Sequence, residues 1–165
     1  MACLIDWPEA NLISKEKPLE IIGENIIGNS ALPTFFKVSN ANDIGIDAPE
    51  NRMGDAVRTS VRSLSGFQKE AIVRSAKSGD TWRFVSDEGP YLNGYDAACC
   101  PLAFLSCGMV ASYMNEILAL AKIQSVEIRK LKLIQNNFYT MKGSMLKRTM
   151  VGGAENIALQ VEIDC

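Results

Sequence analysis

Residues 99–118 read CCPLAFLSCGMVASYMNEIL. Three of the chain's five cysteines fall here, beside a proline and with no charge before Glu116. Pro101 suits the first turn of an α-helix, where its missing N–H costs no hydrogen bond. Asp96 lies just ahead, where a carboxylate favours a helix start. From Leu102 to about Lys122 the only breaker is Gly108, and Leu102, Phe104, Leu105, Met109, Tyr113 and Leu118 spread around most of the circumference. A helix apolar nearly all round is a central, buried one. At 1.5 Å per residue it runs for about 30 Å. The uncharged run from Ala97 to Met114 touches the lower limit of a membrane span, roughly 17 residues. Pro101, Gly108, two serines and the step into Asn115 and Glu116 favour a buried helix of a soluble protein, with no membrane partner.

Ahead of this helix, EAIVRSAK (70–77) and TWRFVSD (81–87) are strand-like runs joined by Ser78-Gly79-Asp80. Gly79 supplies the positive φ of a tight hairpin turn. EGPYLNGYDAA (88–98) is a loop leading into the helix. Beyond it, Val126 and Ile128 alternate with charges while Leu131 and Leu133 continue out of phase, marking a bulge or the end of one strand face. Residues 136–153 read as strands and turns. In NIALQVEID (156–164), Ile157, Leu159, Val161 and Ile163 face one side. Residues 1 to about 60 hold short apolar pieces at 19–22, 26–27 and 32–38, read as strands and loops, and a helix over Gly54 to Ser63. The expected fold is α+β: a strand hairpin and antiparallel sheet wrapped around a long buried central helix. Residues 1–65 form an N-terminal extension to a domain over 66–165.

The 165 residues carry a formal charge of −2, so no basic surface invites nucleic acid. There is no histidine, which excludes Ser-His and Cys-His nucleophile pairs within one chain and any zinc site needing an imidazole. No metal or cofactor is expected. A general base would have to be a carboxylate, lysine, tyrosine or thiolate. Five cysteines without paired spacing, and an N-terminus unlike a secretory signal, point to free thiols in a reducing cytoplasm.

The segment SDEGPYLNGYDAACCPLAFLSCGMVASYMNEILALAKIQSVEIRKLKL (86–133), with NIALQVEID after it, resembles the osmotically inducible protein C and organic hydroperoxide resistance (OsmC/Ohr) superfamily. The resemblance covers roughly Ala71 to Asp164 and rests on the order of elements and the proline-initiated helix. It implies intertwined subunits whose half-sites draw on both chains, hence a homo- or hetero-oligomer. It also implies thiol chemistry on hydroperoxides, with a reactive cysteine eleven positions after the helix proline and a glutamate two positions after it. Those places hold Ser112 and Ala103 here. The family's second cysteine lies on a later helix, and the sequence stops at Cys165 ahead of it.

The thiols therefore sit elsewhere. Cys107 and Ser112 point about 140° apart on a helix, so one cannot replace the other in place. Cys100 and Cys107 share a face but lie about 10 Å apart along it, beyond the span of a disulfide. Cys107 is a candidate by location on the helix, although buried cysteine is also a common small hydrophobe. Cys99 and Cys100, at the helix mouth, occupy the place where free N–H groups favour a thiolate. Arg83 on the hairpin and Asp87, Glu88, Tyr91 and Asp96 in the loop are candidates for substrate contact or acid–base work, and Ser112 for substrate contact. The expected function is a subunit that binds or acts on a small, apolar or aromatic molecule with thiol-dependent chemistry. The alternatives are a non-catalytic partner subunit, an organic hydroperoxide reductase and a thiol redox sensor.

Overall fold

The computed structural model describes residues 23–38, 47–50, 54–144 and 146–165. The chain divides into two compact units, one closing at Pro101 and one running from Leu102 to Cys165. Both are built on antiparallel sheet, which makes the protein α+β.

In the first unit a single helical turn, α1 (Ile26–Asn29), precedes strands β1 (Phe35–Lys37), β2 (Val57–Ser63), β3 (Lys69–Ser75) and β4 (Thr81–Ser86). The sheet order is β1-β4-β3-β2, antiparallel throughout. The β3–β4 hairpin turns where the sequence places it, with Gly79 at φ +69°. Two expectations are corrected. Residues 57–63 form a strand rather than a helix, because Val57, Thr59 and Val61 alternate with period two and pair with β3 along seven residues. Ile26 and Ile27 lie in α1, which Asn25 caps by accepting from the Gly28 amide at 2.9 Å. Of the other apolar pieces, 32–38 supplies β1, and 19–22 lies outside the described residues.

Strand pairing sorts this sheet into two faces of opposite character. Arg62, Glu70, Ile72, Thr81, Arg83 and Val85 share one face, and all are buried. Val57, Val61, Val73, Trp82, Phe84 and Phe35 share the other, none of them buried. At one end of the buried face, Val85 joins Ile26, Ile27 and Leu64 in a small apolar core with Ala97 and Ala98 against it.

The second unit holds most of α2 (Pro101–Ile123) and strands β5 (Lys130–Asn136), β6 (Tyr139–Lys142), β7 (Val151–Ala154) and β8 (Ala158–Asp164). β5 pairs with β8 and β6 with β7. Helix α2 starts at Pro101, as expected. It ends in a Schellman motif: Ser125 adopts φ +56°, its amide donates to the Lys122 carbonyl, and the Val126 amide reaches back to Ala121. The phase slip near Arg129 is a strand boundary, since β5 opens at Lys130. In the β5–β8 register Leu131 and Leu133 face Ile163 and Val161, so the alternating leucines and the C-terminal strand share one apolar side.

The long buried central helix is corrected too. No residue of α2 is buried, although the helix is long and apolar enough to cross a membrane, with a hydropathy of 1.4. The cause is local: its own unit offers two-stranded ribbons, too little sheet to enclose a helix that is apolar on every side.

Candidate functional site

The loop from Asp87 to Cys100 carries most of the candidates, and Asp87 organises it. Its carboxylate is buried and accepts from the backbone amides of Glu88 (2.9 Å), Tyr95 (3.1 Å) and Ala97 (3.2 Å), and from the Gln68 amide nitrogen at 3.3 Å. The Asp87 amide in turn donates to the Cys99 carbonyl. This folds the loop back on itself, helped by a 3-10 turn over Pro90–Leu92 and left-handed backbone at Asn93 and Asp96. Gly94 is required for a steric reason: a Cβ there would stand 1.8 Å from the Glu88 carbonyl oxygen. Asp87 is thus engaged on both oxygens and holds the loop that leads into α2.

Gln68 extends the same network. Its Oε1 accepts from the Ile27 amide at 3.0 Å and its Nε2 donates to Asn25 at 2.8 Å, tying α1 to the loop. The Tyr95 hydroxyl donates to the Gly23 carbonyl.

Arg83 lies on the buried sheet face. Its Nε donates to Glu70 at 2.7 Å, its Nη1 to the Pro33 carbonyl at 2.6 Å, and its guanidinium lies 5.3 Å from the Phe36 ring centre. Arg62 grips the second oxygen of Glu70 through Nε at 2.7 Å and Nη2 at 2.6 Å. Sequence reasoning missed Arg62, Glu70 and Gln68. For Arg62 and Glu70 the signal was the period-two spacing in VRTSVRS, KEAIVRS and TWRFVS, which puts them with Arg83 on one face and Lys69 on the other; Gln68, just before β3, had no such signal.

The other candidates are at or near the surface. Cys99 is exposed and Cys100 half-buried, immediately before the first residue of α2. Cys107 and Ser112 lie exposed along the body of α2, in the second unit. Tyr91 and Asp96 are exposed, and Glu88, half-buried, serves the loop through its carbonyl, which accepts from the Asp96 amide. The structure therefore brings Asp87, Glu88, Tyr91, Asp96 and Cys99 onto one loop, and leaves Arg83 in the interior of the same unit. Among the described residues no three histidine, cysteine or acidic side chains converge as metal ligands.

Lys69 adjoins this loop. Partial burial lowers its pKa from 10.5, against the opposing pull of Asp87 and Glu88. Below the folded value, burial penalises the charged amine. Between the folded and unfolded values the unfolded chain binds more protons, so this group's contribution to stability rises with pH. The stability difference between the wild type and Lys69→Met, followed by urea unfolding, is expected to shift in favour of the wild type as pH rises towards 10.5. A pH-independent difference would refute this.

A scan against protein-family models and a search of curated proteins both find no match to this chain.

Proposed function

We propose that the chain is a divergent OsmC-like subunit of a soluble cytoplasmic assembly. In it α2 becomes the buried central helix on association with another chain, and a small apolar or aromatic molecule binds beside it. The carrying observation is the mismatch between α2's composition and its exposure: apolar nearly all round, with no residue buried in the single chain. Thiol chemistry, where it occurs, falls to Cys99 or Cys100. Both precede a helix whose first-turn N–H groups have no partner within the helix.

Cys165, exposed and away from any helix start, is the internal reference. Alkylation with mass mapping is expected to label Cys99 or Cys100 at least about tenfold faster than Cys165 where the helix mouth carries the chemistry. Cumene hydroperoxide is expected to suppress that labelling. Equal rates at all thiols, with no peroxide consumed, would remove the thiol chemistry from this reading.

A further inference from the structure

We infer that the tip of the β6–β7 ribbon is a contact surface for an anionic phospholipid bilayer. From Ile128 to Ala154 the sequence holds six basic residues, Arg129, Lys130, Lys132, Lys142, Lys147 and Arg148, and no acid. Arg129 and Lys132 are paired with Asp164 and Glu162 of β8. Lys142, Lys147 and Arg148, around the end of the ribbon, have no ion pair among the described residues. The aliphatic side chain among these cations is almost wholly open: Leu146 is 98% exposed. Met141 and Val151, where β6 ends and β7 begins, are 61% and 67% exposed.

The turn that carries Leu146 is held at its neck. The Thr149 amide donates to the Ser144 carbonyl at 3.0 Å, and the Ser144 amide to the Thr149 hydroxyl at 3.1 Å. The Ser144 hydroxyl accepts from the Lys147 amide at 3.4 Å. Gly143, at φ +115°, approaches so closely that a Cβ there would meet the Thr149 carbonyl oxygen at 2.1 Å. The tip is therefore shaped before it meets a partner, which lowers the ordering cost of binding. Charge and side-chain type choose the partner. Aliphatic side chains enter the boundary between headgroups and acyl chains, while lysine and arginine meet the phosphates beside them. Single-stranded nucleic acid would want aromatic faces for stacking. The turn has none, since Phe138 and Tyr139 lie at the far end of the ribbon. The expectation of no membrane partner concerned α2 as a span, whereas this tip lies on a bilayer and crosses nothing. A soluble protein can make such a contact with the anionic cytoplasmic leaflet.

This contact goes beyond the assembly proposed above and does not depend on what covers α2. Cosedimentation of the full chain with vesicles tests it. Binding is expected to phosphatidylcholine vesicles carrying about 30% phosphatidylglycerol, and is expected to be screened away at about 0.5 M sodium chloride. Lys147→Gln with Arg148→Gln removes two charges at about fivefold each, so about 25-fold together. Leu146→Ser is expected to weaken binding about tenfold. All three positions are exposed, and circular dichroism checks that each variant keeps its fold. Lys77→Gln, an exposed base on the β3–β4 turn, is expected to bind like wild type. Absence of binding at low salt would overturn the inference. So would equal binding to pure phosphatidylcholine that neither tip variant changes, the result expected of α2 inserting instead. Loss with the double variant but not with Leu146→Ser would show general charge attraction rather than a seated tip. A complex with a polyuridine oligonucleotide that the tip variants abolish, with vesicles left unbound, would assign the tip to nucleic acid and overturn the bilayer.

Discussion

Glu70→Ala is expected to lower the stability of the first unit by about 3–5 kcal/mol, the range for removing one partner of a buried ion cluster. Glu70 is fully buried between two arginines. Its Oε1 takes the Arg83 Nε at 2.7 Å, and its Oε2 takes the Arg62 Nη2 at 2.6 Å. Deleting the carboxylate removes the anion that both guanidinium groups share in the interior. Losing an arginine is a different perturbation. In Arg83→Met the hydrogen bonds to Glu70 and the Pro33 carbonyl go, but so does a buried Nη2 that has no hydrogen-bond partner among the described residues, and Arg62 still neutralises Glu70. Its expected cost is smaller, about 1–3 kcal/mol. Urea unfolding in a Trp7→Phe background, where Trp82 on the sheet is the sole tryptophan, measures both. A loss below about 1 kcal/mol for Glu70→Ala, as for an exposed pair, would show the cluster to be hydrated rather than buried.

That cluster also marks where the sequence stops being legible. Period-two alternation locates β3 and β4, and Gly79 their turn, because both signals are local. Alternation says that a strand has two faces and not which one is covered. The ordinary assumption places Val61, Val73 and Trp82 inside, and here the interior takes Arg62, Glu70 and Arg83 instead. Helix α2 follows the same logic. Pro101 and the unbroken apolar run determine its existence and its start, but an apolar circumference states only that the helix needs neighbours. Its own unit supplies two-stranded ribbons, too little sheet to cover it on every side.

The loop was legible in composition and not in role. Glu88, Tyr91 and Asp96 are surface residues or nearly so, as glycine-rich loops imply. Asp87 has the same local surroundings in sequence, yet it is buried, because its amide donors come from residues eight and ten positions on. That return path depends on left-handed backbone at Asn93 and Asp96 and on the absence of a side chain at Gly94, a combination no periodicity reports.

Asp87→Ala is therefore expected to release the whole segment between β4 and α2. Three backbone amides and the Gln68 side chain lose their acceptor, and buried donors left unsatisfied cost about 3 kcal/mol together once water partly replaces the carboxylate. The loss is also expected to raise the alkylation rate of half-buried Cys100, and the proteolytic cleavage rate at Tyr91 and Tyr95, by about tenfold or more, as local opening becomes easier. Asp87→Asn keeps one carbonyl oxygen and is expected to retain about half of the lost stability, since amide donors bind a neutral acceptor less strongly than a carboxylate. Glu88→Gln is the neighbouring control. Glu88 supports the loop through its backbone carbonyl, so this change is expected to stay within about 0.5 kcal/mol of wild type. If Asp87→Ala left cleavage and alkylation unchanged, Asp87 would not be the residue that holds the loop. The helix mouth would then owe its shape to Gly94 and the left-handed turns alone.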